Sequence, residues 1–159
     1  MRLTESVLDA TCDLAAKVLR FEGPADRVLS SFFRAHSNLG QDDRAFIAES
    51  IYALLRRKRW VAWSVGRDTP RALVLGALVL LCGKNLRELE PLVSRRELDA
   101  LRDTKGKRVD TESESDRPSI GIELDLPDWL VERLLPKFGE QGLRELADRK
   151  STRLNSSHQ

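Results

Sequence analysis

Asp42–Arg59 reads DDRAFIAESIYALLRRKR, and this stretch decides the fold. Phe46, Ile47, Ile51, Leu54 and Leu55 recur at helical spacing, so one face is apolar. Two aspartates open it. Asp42 or Asp43 is expected to cap the free N–H groups, and a carboxylate there suits the positive end of the helix dipole. Arg56, Arg57, Lys58 and Arg59 suit the negative end. Four consecutive cations exceed what a dipole needs, and they form a candidate site for phosphate. The plain alternative is a core helix with a solvated end. Trp60 and Trp63 extend the pattern past the cluster, so the helix is expected to run on to about Val65.

Upstream, Leu3 to Leu19 predicts a first helix with a wide apolar face, capped by Thr4. Gly23-Pro24 opens a second, with Val28, Leu29, Phe32 and Phe33 on its buried side, and Asn38-Leu39-Gly40 stops it. Downstream, Gly66 to Thr69 is a turn and Pro70 opens the next helix. Ala72 to Leu81 is apolar nearly all round, the mark of a central helix, and Gly83 ends it. Asn85 caps a short segment from Leu86 to Leu89. Ser94-Arg95-Arg96-Glu97 has the form of a capping box and predicts a helix from Arg95 to Leu101.

Composition changes at Asp103. Residues 103–121 hold no aromatic side chain and few apolar ones, and a flexible acidic and polar loop is expected. Asp125, Leu126 and Pro127 then start a helix through Leu135, which Pro136 is expected to break. Leu143 and Leu146 carry a last amphipathic piece. The organisation read from this is a helical core over 1–102, a loop over 103–123 and C-terminal helices over 124–147. The fold class is all-α.

At 159 residues the chain is long enough for one domain with a real core. Hydrophobic residues make up 41% and charged ones 33%, which argues against wholesale disorder. Net charge is only +2, so any basic surface is local. The longest apolar run, Ala72 to Cys82, is too short to span a membrane, and the first ten residues lack the apolar core of a signal peptide. Two distant cysteines make no disulfide framework. A reducing, cytoplasmic setting follows.

The central stretch also resembles a family. Phe32-Phe33-Arg34, Leu39-Gly40, Asp43 to Glu49 (DRAFIAE), Ile51-Tyr52 and Leu55-Arg56 are similar to the N-terminal domain of RsmB-type ribosomal RNA methyltransferases, the Fmu/Sun family that makes 5-methylcytosine. Leu126 to Leu134 (LPDWLVERL) with Phe138-Gly139 resembles the segment before the family's catalytic domain. Together the matches cover about residues 1–147. The resemblance implies an all-helical, NusB-like bundle. It implies an RNA-binding domain of an enzyme that methylates a cytosine of small-subunit ribosomal RNA with S-adenosylmethionine. Its partners would be that RNA and its own catalytic domain, which is absent here. Asp148 to His158 is similar to an in-frame translation of a sequencing-adapter oligonucleotide. On that reading 148–159 is a non-native, disordered tail; a genuine polar tail is the alternative.

No catalytic constellation emerges. Cys12 and Cys82 lie on apolar helices and read as buried small hydrophobes rather than nucleophiles, with no histidine nearby to suggest zinc. None of the nine glycines forms a cofactor turn, and no strand precedes one. No cofactor, metal or catalytic residue is therefore assigned, and this chain alone is expected to be inactive. Binding has a clearer signal. The cations Arg56, Arg57, Lys58, Arg59, Arg67 and Arg71 surround a single anion, Asp68, and Arg34 and Arg44 are expected on the same side. Trp60 and Trp63 are interleaved with them and suit stacking on unpaired bases. Rival readings are core tryptophans with solvated cations, a free-standing NusB-like module in transcription antitermination, and a helical protein-interaction domain.

Overall fold

A computed structural model describes residues 2–21, 23–109 and 119–156. All regular structure among them is helical: α1 (Glu5–Val18), α2 (Ala25–Ala35), α3 (Gln41–Arg56), α4 (Lys58–Val65), α5 (Pro70–Leu80), α6 (Leu86–Leu89), α7 (Arg95–Val109), α8 (Ile120–Leu124) and α9 (Asp128–Ser156). The all-α expectation holds. No helix among these residues is long and apolar enough to cross a membrane.

α5 is the axis. Every residue from Leu73 to Leu80 is buried, and α1, α3, α4 and α7 pack around it. Three helix starts in this arrangement follow directly from sequence. Thr69 accepts from the Ala72 N–H at 3.3 Å while Pro70 takes the first turn, where no N–H is needed. Thr4 likewise accepts from Val7 N–H at 3.3 Å and starts α1. The capping box at α7 closes both ways: Ser94 Oγ accepts from Glu97 N–H at 3.2 Å, and Glu97 Oε1 from Ser94 N–H at 3.1 Å.

Gly76 does more than interrupt an apolar run. A Cβ there would lie 2.5 Å from Val65 Cγ1 and 3.1 Å from Val61 Cγ1. Its bare backbone lets α4 lie close against α5, and this close approach sets where the α4 side chains emerge.

Several expectations are corrected. The α3 helix does not run to Val65: it breaks at Arg57 (φ −127°, ψ 27°), and α4 starts afresh. Gly40 is the N-cap of α3, with no side-chain cap, so Asp42 and Asp43 sit in the first turn and act on the dipole only. The predicted loop from 103 is helical as far as Val109, because Leu101 and Thr104 are buried and prolong the packed face of α7. The expected acidic loop over 110–118 lies outside the described residues. Within the rest of that loop, Ile120–Leu124 forms α8. Asp125 ends α8 in the left-handed region (φ 55°) rather than starting the next helix. Pro136 removes one N–H but does not break α9, which turns instead at Gly139 (φ 70°, ψ 175°), a conformation open only to glycine. The helical backbone of α9 continues through 148–156, where a disordered tail was expected.

Candidate nucleic-acid interface

The break at Arg57 divides the four consecutive cations among three places. Arg56 ends α3, is exposed, donates from Nε to Tyr52 O at 3.3 Å and lines a cavity of about 730 Å³ with Phe46, Glu49, Cys82 and Lys84. Arg57 and Arg59 turn towards the C-terminal helices. Lys58 and Arg59 border a groove beside α4.

The contact with α8 and α9 is built on Asp125. Its Oδ1 accepts from the N–H groups of Arg59 at 2.9 Å and Trp60 at 3.3 Å, so a residue more than sixty positions away caps α4. Its Oδ2 faces Arg57 Nε at 2.9 Å without hydrogen-bond alignment, a coulombic pair. Arg59 donates to the Leu126 carbonyl at 2.5 Å and to Asp128 Oδ1 at 3.0 Å. Gly121 makes room for this: a Cβ there would stand 3.2 Å from Arg59 Nη1 and 3.1 Å from Leu126 O. Burial pushes the Asp125 carboxyl above its ordinary range, and Arg57 with the two N–H groups offsets only part of that. Arg57 also lies over the Trp60 ring, 4.8 Å from its centroid, and Trp60 packs against the core.

Arg71 is committed elsewhere. Its Nε reaches Glu97 Oε2 at 2.6 Å and its Nη1 reaches Asp9 Oδ1 at 3.6 Å, tying α5 to α7 and α1. Arg44 closes the α2–α3 connection, donating to Leu39 O at 3.0 Å and Phe33 O at 3.4 Å. Arg34 donates to Ser30 O of its own helix at 3.4 Å. Neither Arg34 nor Arg44 lines the groove, so the expectation that they share the α4 side is not met there.

What α4 does present is a groove of about 570 Å³ lined by Lys58, Arg59, Ala62, Trp63, Gly66, Arg67, Asp68 and Ile122. Gly66, left-handed at φ 72°, ends α4 and swings Arg67 into the same wall. Arg67 is exposed, and Trp63 is 36% exposed. Lys58 Nζ stands 4.0 Å from Asp68, which is 73% exposed; such a pair is held weakly in water and leaves the ammonium available. The two tryptophans therefore part: Trp60 belongs to the core, Trp63 to the groove.

The cysteines are half-buried and packed against the core. Burial pushes the Cys12 thiol up to about 11 and raises Cys82 as well, so neither is a ready thiolate. His36 ends α2, stacked on Phe32 at 4.0 Å between centroids, with Nδ1 2.8 Å from the Phe32 carbonyl. The described residues contain no cluster of three metal-ligating side chains. Sequence reasoning missed Asp125 and Asp128 as partners of the arginines, and Gly121 as the space Arg59 needs; only the left-handed preference of an Asp before Leu-Pro hinted at a turn. Comparison with protein-family models, curated proteins and solved structures finds no match.

Proposed function

We propose that this chain is an RNA-binding helical domain with a NusB-like bundle, the N-terminal part of an S-adenosylmethionine-dependent methyltransferase acting on a cytosine of small-subunit ribosomal RNA. The family part of this reading rests on the sequence resemblance, from Phe32 to Arg56 and from Leu126 to Gly139. The RNA part rests on one observation: Lys58, Arg59 and Arg67 converge with the partly exposed Trp63 on one groove. Cations neutralise phosphates, and an indole face offers a stack to a base. The cofactor would belong to the catalytic domain of that enzyme.

The test is fluorescence anisotropy with a ribosomal RNA hairpin at several salt concentrations. Arg67→Glu and Lys58→Glu should each weaken binding across RNA sequences. Each should also flatten the slope of log affinity against log salt by about 0.7 to 0.9, the loss of one phosphate contact. Arg34→Glu, outside the groove, should change neither. Arg57 is unsuitable for the test because its reversal would also break the contact with Asp125. Unchanged affinity and slope in both groove variants would refute an RNA role for this surface and favour a protein-interaction domain.

A further inference from the structure

Phe21 is out of keeping with its surroundings. It follows α1 in the left-handed region at φ 54°, where an aromatic residue is rarely found, and the residue is 68% exposed. Its N–H bonds the Val18 carbonyl at 3.1 Å, the geometry of a helix end. Glycine or asparagine would fill that position with less strain. The fold thus bears an unfavourable backbone conformation and an exposed apolar ring at one residue, and no burial offsets either.

The ring's neighbour supplies a reason. Lys58 Nζ lies over Phe21, 5.8 Å from the centroid, and the same ammonium is 4.0 Å from Asp68. Lys58 and Asp68 both line the groove that holds Trp63 and Arg67. One exposed aromatic residue, Trp63, therefore lines the basic groove, and a second, Phe21, lies against the Lys58 that borders it. Duplex RNA hides its bases in the stack and presents only phosphates and groove edges to such a surface; an unpaired strand offers base faces as well.

Building on the RNA reading above, we infer that the groove selects unpaired RNA, with one base stacked on Trp63, another on Phe21, and the intervening phosphates on Lys58 and Arg67. Selection is for strand form rather than for sequence, since every base has a π-face.

The experiment measures binding of the whole chain to a labelled single strand of about twelve nucleotides, within the usual range of site sizes, and to the duplex of the same sequence. The single strand should bind more tightly. Phe21→Ala and Trp63→Ala should each weaken it about tenfold, the loss of one base stack, and leave the duplex affinity unchanged. Phe21→Trp should retain binding. Phe21→Asn should raise the melting temperature, by easing the left-handed backbone, while it weakens the single strand; a gain in stability with a loss of binding excludes misfolding as the cause. Equal affinity for strand and duplex, with both aromatic variants unaffected while Arg67→Glu still weakens binding, overturns the inference and leaves a general phosphate groove. Failure of both RNAs to bind removes the RNA reading itself, and the inference with it.

Discussion

Two arginine clamps hold this bundle together, and they differ in almost every respect except chemistry. Arg71 joins Glu97 and Asp9, tying α5 to α7 and α1 inside the N-terminal bundle. Arg57 and Arg59 join Asp125 and Asp128, tying α4 to the C-terminal helices. In the first, burial of Glu97 is outweighed by Arg71 and by the Ser94 N–H and hydroxyl, which hold its carboxyl below the ordinary range. In the second, burial of Asp125 prevails, and its carboxyl sits above that range. An ion pair near water is a modest stabiliser; a buried one carries a desolvation cost that its partner need not cancel. What Asp125 contributes beyond charge is geometry, since its Oδ1 takes the N–H groups of both Arg59 and Trp60.

The largest effect should come from Asp125→Ala. It removes the cap of α4 and leaves Arg57 without its carboxylate partner, and its own side chain is only 11% exposed. A cap is worth about 1 kcal/mol and a lost partner in a half-buried pair adds a similar amount, so a loss of about 2 kcal/mol is expected. Hydrogen exchange should locate it at α4, α8 and α9 while α5 stays protected. Asp125→Asn, which keeps an acceptor, tolerates the left-handed backbone and sheds the cost of ionisation, should lose far less. If the two variants melt alike, charge rather than geometry holds this clamp.

Gly121→Ala should come next. The added methyl meets the Leu126 carbonyl and the Arg59 guanidinium at little more than 3 Å. Overpacking of this kind costs about 1–3 kcal/mol, and the better helix propensity of alanine returns part of it. A net loss of about 1 kcal/mol in a denaturant melt is expected, with Arg59 displaced from Asp128; a gain in stability would mean that the slot is slack.

The smallest effect separates the clamps by pH. Glu97 has a lowered carboxyl, so its contribution is present at neutral pH and lost as pH falls through its folded value. Glu97→Gln should destabilise by about 0.5–1 kcal/mol at neutral pH and by nothing in acid, where wild type has lost the same pairing. Asp125 has the opposite sign. Its raised carboxyl is a cost fully present at neutral pH, relieved as pH falls through its folded value towards the ordinary aspartate range. Asp125→Asn should therefore remove an acid-side gain, seen as a flatter pH profile of melting between those limits. Profiles of the same sign for both variants would show that the two carboxylates sit in like environments.

The difference between the clamps is also a difference in legibility. Ser94 and Glu97 announce a capping box three residues apart, so one end of the Arg71 clamp could be read locally. Arg57 and Asp125 lie far apart in sequence, and no local pattern couples them. Arg56 to Arg59 read as one positive patch because sequence counts charges and does not see which are already engaged. Trp63 was visible as an aromatic among cations; Phe21 was not, because its signal is a backbone angle.

By itself the sequence determined the helices and the axis of the bundle. Periodicity, caps and glycine stops act within a few residues of themselves, and the unbroken apolar run over Ala72–Leu81 admits no other place than the centre. Only the tertiary structure decided where α3 ends, how far α7 runs, and which cations face water. Those outcomes depend on partners brought from elsewhere in the chain: Asp125 offers α4 a new start at Lys58, burial of Thr104 extends α7 past a polar composition, and Gly76 lets α4 settle against α5 so that Lys58, Trp63 and Arg67 share one groove.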